Sequence, residues 1–326
     1  MTSPSAPPAP SGGGWIKVFA PASIANLGPG FDALGVAIEG LGDTVEARRI
    51  EDGTRGVVIA GMTGDAAGIP TDPSKNCAGR AAEAVLARLK GKAAKVAGLE
   101  MKIHKGLPQG SGLGSSAASA VGGAVAAHLL YGGQLGSNSL LEAALEGEML
   151  ASGARHADNL APSLLGGFTI VKSLEPLEVV RLDAPTPIRF VVVLPGMEIE
   201  TRHARSILPE MIPLKDAISN WANVAALVAA IARDDVPDIG RAIVDRVIEP
   251  VRSRLIPGFA EVKQSALEAG AYGCSISGAG PSVFAVATAG TAEKVALAMQ
   301  AAFQRHGLKS RPFICPPDNR GARRID

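Results

Sequence analysis

The densest chemical signal in the chain is one run of small residues: Pro108, Gln109, Gly110, Ser111, Gly112, Leu113, Gly114, Ser115, Ser116, Ala117 and Ala118. Its three alternating glycines let the backbone take left-handed angles and approach a ligand closely. A strand pattern, Leu99 to His104, leads in, and an alanine-rich helical run leads out to Leu130. The free N–H groups and positive dipole end of that helix face the loop, which makes an anion site, with phosphate the usual anion. The plain alternative is a flexible surface turn. Two other phosphate loops do not fit. No lysine stands between Gly106 and Ser116, and the glycines fall at relative positions 1, 3 and 5, where a dinucleotide loop needs 1, 3 and 6.

Carboxylates, amides and guanidinium groups elsewhere have types that could complete such a site. Ser139 and Glu142 read as a capping box opening a helix that runs to about Leu150. Its apolar stripe of Leu141, Ala144 and Leu145 continues to Glu148, so a carboxylate falls on the buried face. An ion pair or a stripe edge would explain it. So would a Mg²⁺ ligand beside the loop, with the Ser116 hydroxyl adding to the same ion. Asp32 stands between Phe31 and Ala33-Leu34, where a carboxylate needs a partner, and a substrate ammonium would serve. Arg205 and Arg252 could clamp a carboxylate or phosphate. Asn26 reads equally well as a turn residue, and the run His156-Ala-Asp-Asn159 taken alone reads first as a capping or turn segment.

The elements that must position these groups fall into two halves. The first reads as strands at Trp15–Ala20, Ala33–Ile38, Thr44–Ile50 and Val57–Ala60, a helix at Asn76–Lys90, the strand and helix around the glycine loop, the Ser139 helix, and strands at Gly166–Val171 and Leu177–Leu182. Pro185 and Pro187 mark a crossover to the second half. There a strand at Ile188–Leu194 is followed by helices at Asp216–Arg233, Pro237–Ile248 and Phe259–Ala269, two strands around Gly278-Ala-Gly-Pro281, a helix at Thr291–His306 and a last strand to Cys315. Helices on one side of an antiparallel sheet make this half α+β. Gly122 and Gly123 weaken the helix after the loop, which is tolerable where another backbone packs close.

Composition narrows the function classes. The 326 residues suit two domains, expected at 15–184 and 185–326 after a disordered tail at 1–14 rich in Ser, Pro, Ala and Gly. Apolar residues are 47% and aromatics 4%, so the core is aliphatic. A net charge of +1 without a basic block gives no case for nucleic acid or a membrane surface. Three scattered cysteines, Cys77, Cys274 and Cys315, fit a reducing cytoplasm.

Three segments, in order, resemble the motifs of the GHMP kinases, the galactose, homoserine, mevalonate and phosphomevalonate kinase superfamily. They are Pro21 to Asp32, Pro108 to Ala118, and Ser275-Ile-Ser-Gly-Ala-Gly-Pro-Ser282. Asn26-Leu-Gly-Pro-Gly-Phe-Asp32, His156 to Asn159, Thr201 with Arg205, and Glu249-Pro-Val-Arg252 are most similar to the homoserine kinase branch, although that branch more often has Tyr where Val251 stands. The resemblance implies a two-domain α+β GHMP kinase fold, with a left-handed βαβ crossover in the N-terminal domain and a ferredoxin-like C-terminal domain. It implies ATP and Mg²⁺ as cofactors, L-homoserine as acceptor, and a cytoplasmic homodimer. By the same resemblance, Pro108 to Ala118 wrap the ATP phosphates, and Ser116 and Glu148 hold Mg²⁺. Asp32 binds the acceptor ammonium, and Arg205 and Arg252 its carboxylate. Asn26, His156 and Thr201 line its pocket, and Asn159 bonds its hydroxyl. Asn76 is a candidate for the adenine side. An amide is no base, so direct transfer is expected, with Asp158 pointing elsewhere. A mevalonate-type kinase or a non-catalytic sensor would share the scaffold. The acidic Asp32 argues against the first, and the intact loop with Ser116 and Glu148 against the second.

Overall fold

The computed structural model describes residues 14–89 and 98–326. The expected tail therefore lies outside the described residues except for Gly14, as does Lys90 at the end of the first expected helix. In chain order the first part runs β1 (Ile16–Ala25), β2 (Leu34–Ile50), β3 (Val57–Gly64), α1 (Cys77–Leu89), β4 (Gly98–Lys105), α2 (Ser115–Leu130), α3 (Ser137–Ser152), α4 (Leu160–Leu165), β5 (Phe168–Leu174) and β6 (Leu177–Leu182). The second runs β7 (Ile188–Pro195), α5 (Thr201–Ser206), α6 (Leu214–Ile231), α7 (Val236–Arg241), α8 (Glu249–Arg252), α9 (Phe259–Glu268), β8 (Gly273–Ile276), β9 (Val283–Thr288), α10 (Ala292–Arg305), β10 (Ser310–Cys315) and β11 (Arg323–Arg324).

The first sheet has the order β11-β1-β2-β4-β3, with β5 paired to the start of β2 and β6 beyond it. β3 and β4 run parallel, so the chain through α1 must cross over between them. The two strands expected at Ala33–Ile38 and Thr44–Ile50 are one long β2. Opposite it, β1 pairs Pro21 with Gly42 and then Ala22 with Ile38, so the residues between bulge out. Just past the bulge, Asp43 pairs with Ala20 and is fully buried.

Helices α1, α2 and α3 pack at backbone distance. A side chain at Gly123 of α2 would place its Cβ 2.2 Å from the Ala78 carbonyl oxygen of α1, and one at Gly147 of α3 would meet the Cys77 oxygen at 2.4 Å. Gly123 thus has the close backbone neighbour that was expected, whereas a Cβ on Gly122 would meet the Val45 side chain at 2.8 Å. The capping box does not form. α3 begins at Ser137 after Gly136 with no side-chain cap, which puts Ser139 inside the first turn.

The second sheet is antiparallel, in the order β10-β7-β9-β8. Numbering its strands one to four along the chain gives 4-1-3-2, the ferredoxin-like arrangement. Its helices lie on both faces, contrary to the one-sided expectation. Val191, Val193, Val283 and Ala285 pack under α9 and α10, while Phe190, Val192, Phe284 and Val286 belong to the other core with α6, α7 and the first sheet. Strand alternation alone produces this split. The helix expected at Pro237–Ile248 stops at Arg241. Beyond it the Asp245 carboxylate accepts the N–H groups of Val247, Ile248 and Glu249, and this local satisfaction competes with a helix. The segment 185–326 is not confined to the second sheet. Pro317 bridges Ile38, and β11 pairs with β1, so the chain end returns to the first half.

Candidate active site

A cleft of about 640 Å³ opens where the glycine loop meets the second sheet's Gly278–Gly280 turn and α5. The loop is pinned from the second half of the chain. Ser277 Oγ donates to the Gly112 carbonyl at 2.7 Å, Ser282 N–H to the Ser111 carbonyl at 3.2 Å, and Ile199 N–H to the Gly110 carbonyl at 3.4 Å. A Cβ on Gly112 would lie 2.6 Å from the Ser277 oxygen, so this contact requires glycine. Gly114, at φ +70°, turns the chain into α2, and no side chain caps that helix. Its first N–H groups are therefore left for a ligand.

Of the loop, Gln109, Gly110, Ser111, Gly112, Gly114, Ser115 and Ser116 line the cleft. Leu113, Ala117 and Ala118 are buried in the core, and Pro108 lies on a second, smaller cavity behind the loop. The Ser115 hydroxyl is taken up by the Leu107 carbonyl at 2.9 Å. The Ser116 hydroxyl lies beside the Glu148 carboxylate. Burial pushes Glu148 up to about 7, the neighbouring Ser116 hydroxyl pulls it back, and the Asp158 charge adds to the rise. Glu148 Oε2 is buried with no hydrogen-bond partner. A buried carboxylate with an orphaned oxygen, next to a hydroxyl and an open phosphate cradle, fits Mg²⁺, which takes one or two protein ligands and completes its shell with phosphate and water.

Beneath the loop lies a charged pair that the sequence reading missed. Lys105, 2% exposed, pairs with Asp43 and donates to the Ser115 carbonyl and Ser119 Oγ, both at 2.8 Å. Asp43 also accepts from Ser119 Oγ at 2.7 Å and from Gly106 N–H at 3.1 Å. Lys105 and Ser119 face the cleft, so the pair places a fixed ammonium under the first turn of α2.

The other end of the cleft gathers Asn26, Asp32, His156, Thr201, Arg205 and Arg252. Asn26, Leu27 and Asp32 all adopt left-handed backbone angles, at φ 70°, 49° and 58°. Such residues persist only where their surroundings over-determine them. Here Asn26 Nδ2 donates to the Gly278 carbonyl at 2.8 Å, and its Oδ1 accepts Asp32 N–H at 3.1 Å. Arg205 Nη2 donates to both Asp32 oxygens, at 2.8 and 2.9 Å. Arg205 and Arg252 both stack on the Phe31 ring, at 5.2 and 5.0 Å from its centre. The buried Arg252 donates to the Gly278 and Ala204 carbonyls. Burial holds the His156 imidazole below its ordinary value, and its Nε2 is buried without a partner.

Between the two ends stands Asn159, whose Oδ1 accepts Ser23 Oγ at 2.8 Å. Asp158 does not point away from the cleft as its position beside Asn159 suggested. It is 5% exposed and forms part of the cleft wall. Burial and then the Asp32 charge push it up to about 7. Asn76 is on the wall too, but its side chain is committed to capping α1. Oδ1 takes the N–H groups of Ala78 and Gly79, and Nδ2 donates to the Pro70 carbonyl.

The family models described as GHMP kinases N terminal domain and GHMP kinases C terminal match residues 76–167 and 227–305. Homoserine kinase from Chlorobaculum tepidum is 43% identical over 95% of this chain and 98% of its own, and that of Arabidopsis thaliana 45% identical over 95% and 85%. The chain belongs to the homoserine kinase family of the GHMP kinases. The crystal structure of homoserine kinase from Cytophaga hutchinsonii superposes with a TM-score of 0.90 at 43% identity, covering 97% of this chain and 99% of that one. A mevalonate kinase from L. major, solved with R-mevalonate, shares the fold at a TM-score of 0.69 and 17% identity. Two features stand out for a chain of the homoserine kinase family. The cleft joins an anion cradle to an acid–guanidinium corner, and the charged pair beneath the cradle (Lys105, Asp43) lies outside the three motif segments. A strand-end lysine and an aspartate in the middle of β2 carry no sequence signal of their own, since only the β2–β4 register brings them together.

Proposed function

We propose that the protein transfers the γ-phosphoryl group of ATP to the side-chain hydroxyl of L-homoserine, giving O-phospho-L-homoserine and ADP for threonine biosynthesis. The observation that carries this reading is the Asp32–Arg205 pair at one end of a cleft whose other end is the uncapped start of α2. A zwitterion matches such a pair. Its ammonium meets Asp32, and its carboxylate meets Arg205 and Arg252. Asn26, His156 and Thr201 shape the pocket around it. The cleft-lining part of the loop, Gln109 to Gly112 and Gly114 to Ser116, wraps the phosphates, with the Lys105 ammonium adding fixed positive charge.

Ser116 and Glu148 would hold Mg²⁺, which when bound neutralises phosphate charge. The acceptor oxygen forms its bond to phosphorus as the bridging P–O bond to ADP breaks, and the hydroxyl proton passes to the transferred phosphoryl group. Asn159 holds the hydroxyl without taking its proton, because an amide is not a useful base. Alignment and charge neutralisation carry the rate, as a loose phosphoryl-transfer transition state permits. ADP release with ATP and Mg²⁺ is to be compared across L-homoserine, L-threonine, L-serine and mevalonate. Turnover with L-homoserine, lost in Glu148→Gln, supports the reading, while turnover with mevalonate alone removes the acceptor assignment.

We place the protein in the cytoplasm, in keeping with three free cysteines. No described helix is long and apolar enough to cross a membrane. We also propose a homodimer. Leu214, Ile218 and Trp221 are exposed along α6, at 67%, 53% and 64%. Small residues (Ala222, Ala225, Ala229) continue the same face, so an antiparallel second α6 would set large side chains against small ones. Sedimentation of Trp221→Lys as a monomer beside a dimeric parent supports this, and a monomeric parent removes it.

A further inference from the structure

We infer that Ser23 is a positioning residue that fixes the Asn159 amide toward the acceptor and ties it to the phosphate loop. The inference deepens the kinase reading and rests on it. Ser23 is fully buried on β1. Its N–H donates to the Leu113 carbonyl of the glycine loop at 3.2 Å, and its hydroxyl donates to Asn159 Oδ1 at 2.8 Å. One residue thus holds the loop by its backbone and the acceptor asparagine by its side chain.

The orientation has a chemical consequence. An amide offers one accepting oxygen and one NH₂ that only donates. With the oxygen engaged by Ser23, the NH₂ is the end left for the cleft that Asn159 lines. A donor there takes a lone pair of the acceptor hydroxyl and leaves its proton free to follow the phosphoryl group. A flipped amide would present an oxygen, accept that proton in a hydrogen bond and turn the lone pair away from phosphorus. Two further contacts restrict the flip. A Cβ on Gly114 would lie 2.4 Å from Ser23 Oγ and 2.9 Å from Asn159 Oδ1, so the pair is wedged against the glycine that opens α2. Ser163 Oγ donates to the Pro21 carbonyl at 2.8 Å, which fastens α4, just after Asn159, to β1 as well.

The test is a double-mutant cycle on kcat. Ser23→Ala is expected to lower kcat about 10- to 100-fold, the range for losing one buried hydrogen bond that orients a reacting group, with KM for ATP and for L-homoserine within about twofold. In an Asn159→Ala background the same change should add less than about twofold, because its route of action is gone. Ser23→Cys keeps volume but weakens the donor, and should fall between parent and Ser23→Ala. This third variant carries the test if the alanine variant does not fold. The crystal structure of Ser23→Ala should show Asn159 leaving its rotamer, a readout independent of turnover. Equal losses in both backgrounds, or a loss confined to KM for ATP, would overturn the inference. Parental turnover across acceptors tests the substrate reading separately, and the cycle is run on whichever acceptor the parent phosphorylates.

Discussion

Arg205 places one nitrogen between the two oxygens of Asp32, at 2.8 and 2.9 Å, so the acid expected to meet a substrate ammonium already holds a cation. A zwitterion can exchange with this pair without leaving either charge bare. A ligand with a carboxylate alone would strand Asp32. Asp32→Asn should therefore raise KM for L-homoserine and lower kcat/KM about 10- to 100-fold, as a charge-assisted bond is worth about 1.5–3 kcal/mol. KM for ATP should hardly move. The same variant should narrow the preference for L-homoserine over 4-hydroxybutyrate, which lacks the ammonium. An unchanged preference, measured by competition, would remove Asp32 from ammonium recognition.

Asp158 supplies a test that combines stability with mechanism. Its carboxyl is pushed up to about 7, first by burial and then by Asp32. Between the ordinary carboxylate range and that value, the folded chain holds a proton that the unfolded chain has lost. The associated stability is full at acid pH and is lost as pH rises through about 7. Asp158→Asn should flatten the pH dependence of chemical denaturation across this window. It should also be more stable than the parent at pH 8, by up to a few kcal/mol. Direct transfer expects its kcat to stay within about tenfold. A loss of about a thousandfold with fold and affinities intact would make Asp158 the base, since general base catalysis contributes about 10²–10⁴.

Gly123 shows what helix propensity cannot. Alanine there would improve an isolated helix by up to about 1 kcal/mol. In the folded protein its Cβ would meet the Ala78 oxygen at 2.2 Å, backbone that can yield only by parting α1 from α2. Overpacking of this kind costs about 1–3 kcal/mol. Gly123→Ala should lower the melting temperature, and a rise would show that the helices separate freely.

These cases mark what local pattern can and cannot convey. The glycine loop was legible because strand, turn and helix are consecutive, and Glu148 because helical spacing put it on the buried stripe. The expected capping box failed because Ser-x-x-Glu fixes no starting point when α3 can begin three residues earlier, with Gly136 where Ser139 was expected as the cap. The long β2 read as two strands because Gly40 and Gly42 look like a turn until β1 is laid beside them. Ser23 sits 136 residues from Asn159 and Asp43 62 from Lys105, so both pairs exist only after the sheet has formed.

The buried Lys105–Asp43 pair separates stability from binding. Removing one partner leaves an unpaired charge in the interior, at a cost of about 3–5 kcal/mol, whereas replacing both with apolar groups is often close to neutral. Asp43→Asn and Lys105→Met should each destabilise by about that amount, and the double variant Lys105→Met with Asp43→Leu should recover much of the loss in denaturant titrations. Nucleotide binding should not recover with it. The ammonium that bonds the Ser115 carbonyl at the start of α2 is absent from the double variant. Its ATP affinity should stay at least about tenfold below the parent, with the deficit shrinking at high salt, as screening predicts. If affinity returned along with stability, Lys105 would be a strut for the loop and its charge would play no part in holding phosphate.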